Sequence, residues 1–317
     1  MEQYDKAASA VICEVKKIVS GKDDCIYKAF AAILAGGHIL IEDVPGVGKT
    51  TLAVAFSKAM GLINHRVQFT PDVMPSDLLG FYMYQKETDQ FVFHPGTIMC
   101  NLFLADEINR TSPKTQSALL EVMEEGIVTV DGVSHEVPKP FVVMATQNPK
   151  GSAGTQLLPE SQLDRFMICM SMGYPDLKSE IEIAKGRRVS AEEKIVPVLD
   201  AQTLSDLQLY VENVHMDESI YEYIVELIAA TRDNNYIELG VSPRGTIACV
   251  RMAKAWAFLQ GRSFVVSADV SEIFTDIAKH RIVLGTKARA ARMTAEAVLK
   301  EVLSSVRQPA SFMRKNR

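Results

Sequence analysis

A glycine-rich turn stands between an apolar run and a helix-like stretch early in the chain. Residues 43–50 read Asp-Val-Pro-Gly-Val-Gly-Lys-Thr and follow the run Ile39-Leu40-Ile41. Glycines let the backbone bend around an anion with its N–H groups pointing inward, and the dipole of the following helix adds partial positive charge. The pattern predicts a phosphate-binding loop, although Asp43 stands where the general signature has glycine. A chance glycine turn before a helix is the alternative, which the strand and helix context disfavours.

The residues of this loop suggest two kinds of contact. Lys49 would reach the β- and γ-phosphates of a nucleotide, and the Thr50 hydroxyl would hold Mg²⁺. We expect nucleotide contacts along the whole segment, from Asp43, Val44, Pro45, Gly46, Val47, Gly48, Lys49, Thr50 and Thr51.

An acidic pair follows a second apolar run. Residues 101–105 read Asn-Leu-Phe-Leu-Ala and are followed by Asp106 and Glu107. In a parallel α/β sheet, ligands bind at the carboxyl ends of the strands, beside such a loop. Asp106 is expected to position the hydration shell of Mg²⁺, and Glu107 to polarise an attacking water. A solvated strand end is the alternative, and the phosphate-loop pattern makes it less favoured.

Composition limits the class of protein. The chain has 317 residues, of which 47% are hydrophobic, so it can bury a large core and is expected to form two domains. Its net charge of −5 provides no global basic field to recruit nucleic acid. Five cysteines without metal-ligand spacing predict reduced, mostly structural thiols. The sequence shows no signal pattern and no run as long as a membrane span, so a cytoplasmic location is expected.

Alternating apolar runs and helix-like segments indicate an α/β fold. Five runs predict a parallel sheet covered on both faces, and they are Ile39–Ile41, Val67–Phe69, Leu102–Ala105, Phe141–Ala145 and Phe166–Met172. Aromatic residues flanking the polar stretch 85–90 predict one hairpin, and Asp131-Gly132 between alternating runs predicts another.

Amphipathic helices dominate after about Pro197. Helical spacing is found over Ser219–Thr231, Pro243–Leu259, Ser267–Leu284 and Thr294–Ser305. We therefore expect a nucleotide-binding core over residues 1–196, with the hairpins at about 81–96 and 127–138, and a helical lid over 197–317. The basic tail from Arg307 to Arg317 is more typical of a frayed, solvated end than of a nucleic-acid arm.

Together, these motifs resemble the MoxR family of AAA+ ATPases from about Gly36 to Leu284. The matching segments are residues 43–50, 103–110, 145–149, 158–166 and 242–244. The resemblance implies an αβα P-loop sandwich with a five-stranded parallel sheet and a C-terminal all-helical lid domain. It also implies that Asp43 is a family variant of the loop.

The resemblance supplies three further roles. Asn148 resembles the sensor-1 residue, which contacts the γ-phosphate and orients water, although Asn-Pro is also typical of a turn. Arg165 resembles the arginine finger that reaches a neighbouring subunit, and an ion pair to Asp164 or Glu160 is the alternative. Arg244 resembles sensor 2 at the start of a lid helix, where an ordinary solvated side chain is the alternative.

By the same resemblance, the hairpins correspond to the helix-2 insert and the pre-sensor-1 insert, which would line or cap the pore of a ring. The aromatic pairs Phe81/Tyr82 and Phe91/Phe93 would then grip a client, unless they pack across the strands.

The family implies an ATPase that uses ATP and Mg²⁺ and remodels partner proteins. It implies a homo-hexameric ring and a partner with a von Willebrand factor A domain. A nucleic-acid motor is disfavoured by the acidic balance, and a nucleotide-gated scaffold with little hydrolysis is disfavoured by Glu107. A chelatase-like motor subunit is a near variant of the main hypothesis.

Overall fold

A computed structural model describes residues 2–44, 46–148, 158–175, 177–184 and 195–309. Pro45 of the phosphate loop, Pro149 of the matching segment 145–149 and the tail beyond residue 309 lie outside the described residues. The α-helices are α1 (Glu2–Lys16), α2 (Asp23–Leu34), α3 (Lys49–Ala59), α4 (Pro75–Leu79), α5 (Pro113–Glu125), α6 (Glu160–Leu163), α7 (Leu177–Ala184), α8 (Ala201–Glu212), α9 (Glu218–Arg232), α10 (Pro243–Leu259), α11 (Ser267–Ala278), α12 (Thr286–Ala290) and α13 (Ala295–Ser305). The strands are β1 (Ile39–Glu42), β2 (Asn64–Gln68), β3 (Gly80–Gln85), β4 (Gln90–Pro95), β5 (Leu102–Asp106), β6 (Ile127–Val130), β7 (Val133–Glu136), β8 (Val142–Gln147), β9 (Ile168–Met170), β10 (Ile237–Leu239) and β11 (Val283–Leu284).

Five strands form the central sheet in the order β2-β5-β8-β1-β9, and every pairing is parallel. The five apolar runs each contribute one of these strands, so the predicted parallel sheet is confirmed. The strand β2 begins earlier than its apolar run and ends at Gln68, and most of its side chains are exposed. This exposure follows from its place at the edge of the sheet, where only one neighbour covers it.

Helices cover both faces of the sheet. Successive residues of a strand point to opposite faces. Ile39 and Ile41 accordingly join one buried cluster with helices α1, α2 and α3, whereas Leu40 joins a second cluster with α5. The apolar runs are continuous because both faces of these strands are buried.

Two antiparallel hairpins lie outside the central sheet. One is formed by β3 and β4, and the other by β6 and β7. At the turn of the second hairpin, Asp131 and Gly132 both have positive φ, at 50° and 78°. Positive φ at both central residues is the geometry that favours Asp-Gly in a two-residue hairpin.

The aromatic residues of the first hairpin pack across its strands. Ring centroids lie 5.4–5.5 Å apart in the pairs Phe81–His94, Tyr82–Phe93 and Tyr84–Phe91. Cross-strand packing, the alternative to client contact, therefore describes these rings. Phe81 and Tyr84 nevertheless stay 49% and 47% exposed, and Phe91, near the tip, is the most exposed of these rings at 70%.

His135 of β7 connects the two hairpins. Its ring stacks on Phe93, with centroids 3.8 Å apart and planes within 6° of parallel. Its Nε2 also lies 3.1 Å from the Tyr82 hydroxyl. The two hairpins are thus in direct contact.

The C-terminal region is helical apart from one short antiparallel sheet, in which β10 pairs with β11. Helical spacing continues to Leu284, but α11 ends at Ala278 and residues 283–284 form β11. Arg281 explains the early end, because the chain turns after α11 and sends this side chain into the loop before β9.

His38, just before β1, is held as a neutral ring. Its Nδ1 accepts a hydrogen bond from the Val143 backbone N–H at 3.0 Å, and its Nε2 lies 2.9 Å from the Met123 carbonyl oxygen. Only the tautomer with hydrogen on Nε2 satisfies both contacts. Burial lowers the pKa of His38 to about 4, although the hydrogen bond to Met123 opposes that shift.

We expect His38 to make the fold less stable in mild acid. Unfolded chains bind a proton at this ring near pH 6.5, whereas the folded chain resists protonation down to about pH 4, so stability is lost as the pH falls through this window. For a fully buried ring, the free energy of unfolding would fall by roughly 2 kcal/mol between pH 7 and pH 5. His38 is partly exposed, so we expect a loss of about 1 kcal/mol. Urea unfolding at pH 7 and pH 5 measures the loss. His38→Gln should reduce the pH dependence, and a pH dependence equal to that of the unmodified protein would contradict the prediction.

Candidate functional site

The phosphate-loop sequence forms an open cradle between β1 and α3. Gly46 and Gly48 have φ of 86° and 100°, in the left-handed region that favours glycine. Gly48 is the N-cap of α3, and no side chain caps that helix. The N–H groups of the first helical turn therefore have no side-chain acceptor, and they suit an anion.

Some of the other loop residues pack into the hydrophobic core, and the rest lie near the cradle. Val47 is buried, and Val44 packs against the same core cluster. Thr50 and Thr51 lie in the first turn of α3 and are half-buried. The valines therefore anchor the loop, while the threonines remain near the cradle.

Lys49 is a buried cation without an ion-pair partner among the described residues. Its Nζ donates a hydrogen bond to the Asp43 carbonyl oxygen at 2.8 Å. Burial lowers the pKa of Lys49, while the charges of Asp43, Asp106 and Glu107 act in the opposite direction. These carboxylates are thus near enough to act electrostatically, yet a direct counter-ion is missing from this part of the chain.

Asp43 fastens the loop to the segment after β9. Its carboxylate accepts hydrogen bonds from the backbone N–H groups of Met172 at 2.7 Å and Gly173 at 2.6 Å. It also accepts from the Ser171 hydroxyl at 3.0 Å and the Val44 N–H at 2.9 Å. The departure from glycine therefore has a structural use, because the Asp43 carboxylate holds the loop in place.

Asp106 ends β5 and is nearly buried. One carboxylate oxygen accepts from the Thr146 hydroxyl at 2.6 Å, and the other accepts from Arg66 at 2.7 Å. Thr146 lies on the adjacent strand β8, so the sheet itself orients this carboxylate. A metal hydration shell at Asp106 would have to share the second oxygen with Arg66.

Glu107 has a strained backbone and an ionised carboxylate. Its φ is 58°, a left-handed conformation that costs a non-glycine residue free energy and is common at functional sites. The carboxylate accepts from Asn148 at 3.0 Å, Arg110 at 2.8 Å and Gln68 at 2.9 Å. Burial raises the pKa of Glu107, but the hydrogen bonds from Arg110 and Asn148 outweigh it, so the pKa is lowered.

Asn148 is placed to hold a small ligand next to Glu107. Its amide nitrogen donates to Glu107, which fixes the orientation of the amide. Its Oδ1 is buried and has no hydrogen-bond partner among the described residues. Asn109 holds the Asn148 backbone through both its N–H and its carbonyl oxygen. A buried, unpaired acceptor requires a donor such as water, so this position fits a water molecule.

Arg165 and Arg244 lie at a different place and share one acceptor. The Arg165 guanidinium donates to the Leu120 carbonyl oxygen and pairs with Glu124 at 3.0 Å. Arg244 pairs with the other oxygen of Glu124. Among the described residues, neither arginine bonds to the phosphate loop or the acidic pair. The alternative for Arg165, an ion pair to Asp164 or Glu160, is replaced by a pair with Glu124.

Capping residues place these side chains. Helix α5 begins after Ser112, whose hydroxyl accepts from the Thr115 N–H, and it ends at Gly126 in the left-handed conformation. Helix α10 begins after Ser242, which accepts from the Gly245 N–H. These caps fix the turns that carry Glu124 and Arg244.

Arg281 joins the helical region to the loop that carries Arg165. It is buried, pairs with Asp164 at 2.8 Å and donates to the carbonyl oxygens of Phe166 at 2.6 Å and Met167 at 3.0 Å. The Ser242 hydroxyl also donates to Asp164. The Arg165 segment is therefore firmly attached to the helices that follow residue 200.

Sequence reasoning missed Arg66, Gln68, Thr146 and Arg110 as site residues. Thr146 and Arg110 were inside the matching segments without a role. Arg66 and Gln68 are polar residues at spacing two on an edge strand, and Gln68 pairs in register with Asp106. Polar residues at the end of a strand beside the acidic pair are the signal that could have identified them.

Comparisons with known proteins identify the family. Residues 38–168 match the ATPase family associated with various cellular activities, and residues 229–302 match the AAA lid domain. Chaperone MoxR1 of Mycobacterium tuberculosis is 36% identical over 307 residues, which cover 94% of this chain and 81% of that protein. The chain belongs to the MoxR family of AAA+ ATPases.

Two further matches extend over almost the whole chain. The uncharacterized protein YeaC of Bacillus subtilis is 46% identical over 296 residues, which cover 93% of this chain and 92% of that protein. A solved structure from Cytophaga hutchinsonii, of a protein assigned as an ATPase, has a TM-score of 0.89 and 37% identity and covers 98% of this chain and 97% of its own. The fold implied by the family resemblance, an α/β P-loop core with a helical lid, is confirmed.

The described residues contain neither a membrane-spanning helix nor a cluster of metal-binding side chains. None of the described helices is both long and apolar enough to cross a membrane. The same residues contain no cluster of three or more His, Cys, Asp or Glu side chains that could hold a metal ion.

The buried pair Arg281–Asp164 should be worth far more than an exposed pair in the same region. Arg281→Ala is expected to lower the free energy of unfolding by about 3–5 kcal/mol, because it leaves a largely buried carboxylate without its cation. Arg289→Ala removes an exposed pair with Glu238 and should cost less than about 1 kcal/mol. Urea denaturation of both variants measures the difference, and similar losses would refute this ranking.

Proposed function

We propose that this MoxR-family protein hydrolyses ATP at the site formed by the phosphate loop and the acidic pair. The observation that carries the proposal is the ionised Glu107 carboxylate beside the unpaired oxygen of Asn148. Strand β8 pairs with β1 up to Gln147 and Glu42, so Asn148 follows directly beside the loop that leads to α3. Such a site holds phosphate at the cradle and water at the carboxylate.

Each residue then has a distinct task. The cradle and Lys49 bind the β- and γ-phosphates, and Asn148 and Glu107 orient the attacking water and accept its proton. Bound Mg²⁺, held by Thr50 and Asp106, would neutralise phosphate charge. The Thr146 hydroxyl positions both acidic residues, because it donates to the Asp106 carboxylate and accepts from the Glu107 backbone N–H.

We propose further that the active form is a homo-hexameric ring in which Arg165 completes the site of a neighbour and Arg244 responds to nucleotide from the lid. The relative named Chaperone MoxR1 supports a chaperone-like role, in which ATP hydrolysis remodels or matures a partner protein complex. A partner with a von Willebrand factor A domain fits this class of function. Exposed Phe91 at the hairpin tip is the residue best placed to touch a client.

The proposed domains are a core over residues 1–196 and a lid over 197–317. The lid match begins within the second of these ranges. All five cysteines are unpaired, and burial raises the pKa of Cys100, Cys169 and Cys249 to about 12. Such thiols are unreactive and fit the reducing cytoplasm that we propose as the location.

Lys49→Ala and Glu107→Gln should separate binding from turnover. Lys49 neutralises phosphate in the ground state, so Lys49→Ala should lose tight ATP binding, whereas Glu107→Gln should keep binding and lose turnover by about 10²-fold or more. Nucleotide titration beside steady-state phosphate release tests both, with Lys58→Ala at the far end of α3 as the control. Full turnover by Glu107→Gln would remove its assignment as the residue that activates water. Absence of phosphate release by the unmodified protein would favour a nucleotide-gated scaffold.

Arg165→Ala should bind ATP nearly normally and lose hydrolysis by about 10³-fold or more, as expected for a finger. Mixing it with Lys49→Ala should restore some activity, because a site can take Lys49 from one subunit and Arg165 from the next.

The matched control mixes Lys49→Ala with Glu107→Gln. Both residues belong to the same half of the site, so this mixture should stay inactive. Rings that demonstrably co-assemble without any recovery in the first mixture would count against action of Arg165 across the interface.

A further inference from the structure

Glu124 contacts both arginines that the proposed mechanism requires at a phosphate. It lies in the last turn of α5, and its two carboxylate oxygens pair separately with Arg165 and Arg244. These partners come from two different elements, the loop after α6 and the start of α10. A single carboxylate thus ties the loop, the lid helix and the core together.

Among the described residues, Arg165 is held by helix α5. One terminal nitrogen donates to the Leu120 carbonyl oxygen, and the other pairs with Glu124. Its Nε is buried and has no hydrogen-bond partner in the described part of the chain. This guanidinium must therefore leave α5 before it can bind a phosphate on a neighbouring subunit.

Burial distinguishes the fixed links from the releasable ones. The Arg281 side chain is 2% exposed, so its pair with Asp164 is permanent in the folded protein. By contrast, the side chains of Glu124, Arg165 and Arg244 are 37%, 29% and 44% exposed. Ion pairs with this exposure are worth only about 0.2–1 kcal/mol each, so a more highly charged anion can displace them.

We propose that Glu124 is a latch, a positioning residue that holds Arg165 and Arg244 on α5 and competes with nucleotide phosphate for both. The inference rests on the proposed function, because it assumes that both arginines act on ATP. A nucleotide that binds the released state better shifts the population toward it, and each latched arginine reduces the apparent affinity. Removing the latch should therefore raise the apparent affinity for ATP.

The test is Glu124→Gln, which keeps the shape of the side chain and removes its charge. Two weak ion pairs correspond to an effect on the order of 3- to 10-fold. The ATP concentrations for half-maximal turnover and for half-maximal assembly in sedimentation should both fall by that factor. Turnover at saturating ATP should stay within about twofold, because the latch is already open in that state.

Glu125→Gln is the matched control. Glu125 is the next residue of α5, and its side chain forms no hydrogen bond or ion pair with any described residue. Its variant carries the same charge change and should behave like the unmodified protein. Identical half-maximal ATP concentrations for Glu124→Gln and Glu125→Gln would overturn the latch.

Two further measurements separate the possible failures. If Glu124→Gln loses turnover at saturating ATP as Arg165→Ala does, Glu124 orients the arginines productively and the latch is wrong. If Arg165→Ala itself keeps full turnover, the proposed finger fails, whatever Glu124→Gln shows. In the Arg165→Ala background, Glu124→Gln should lower the ATP concentration for assembly by less than it does alone, and an undiminished effect would overturn the latch. Thermal unfolding of each variant establishes that it folds.

Discussion

The parallel register of the central sheet determines where Lys49, Glu107 and Asn148 lie relative to one another. It brings the carboxyl ends of β1, β5 and β8 to one edge, where Glu42 pairs with Gln147 and Gln68 pairs with Asp106. The phosphate loop follows β1, the acidic pair stands at the end of β5, and Asn148 follows β8. Residues separated by up to a hundred positions therefore meet without any loop needing to reach across the fold.

Among the described residues, the acidic pair at this edge is matched by arginines and Lys49 is not matched by a carboxylate. Asp106 has Arg66, Glu107 has Arg110, and the Asp43 carboxylate is satisfied by backbone N–H groups. Lys49 has no ion-pair partner among the described residues, and the uncapped start of α3 adds partial positive charge. The two nearby carboxylates are thus occupied by other cations, so an incoming anion meets Lys49 with little direct competition. This arrangement accounts for phosphate binding beside two acidic residues, where repulsion would otherwise oppose it.

Local patterns predicted the sheet, the phosphate loop and the Asp-Gly hairpin, because each depends on residues close together in sequence. By contrast, the ion pairs that hold the arginines join residues that are far apart in sequence. Arg281 is 117 positions from Asp164, and Arg244 is 120 positions from Glu124. Charged residues are common on helices, so sequence alone cannot say which carboxylate an arginine will meet. For the same reason, the spacing predicted a helix beyond Ala278, where the buried contacts of Arg281 require a turn.

Helix α5 is the rigid element on which the arginines and the hairpins both depend. Glu124 lies in its last turn, Gly126 ends it, and β6 begins at the next residue. The second hairpin is therefore a direct continuation of the helix that holds Arg165 and Arg244, and His135 carries the contact on to the first hairpin. A helix of this length cannot bend sharply without a proline or a bulge in its interior, and the interior of α5 has no proline. A displacement of its C-terminal turn would therefore move the base of the second hairpin. Arg165, Arg244 and the hairpin that carries the exposed Phe91 thus share one mechanical support.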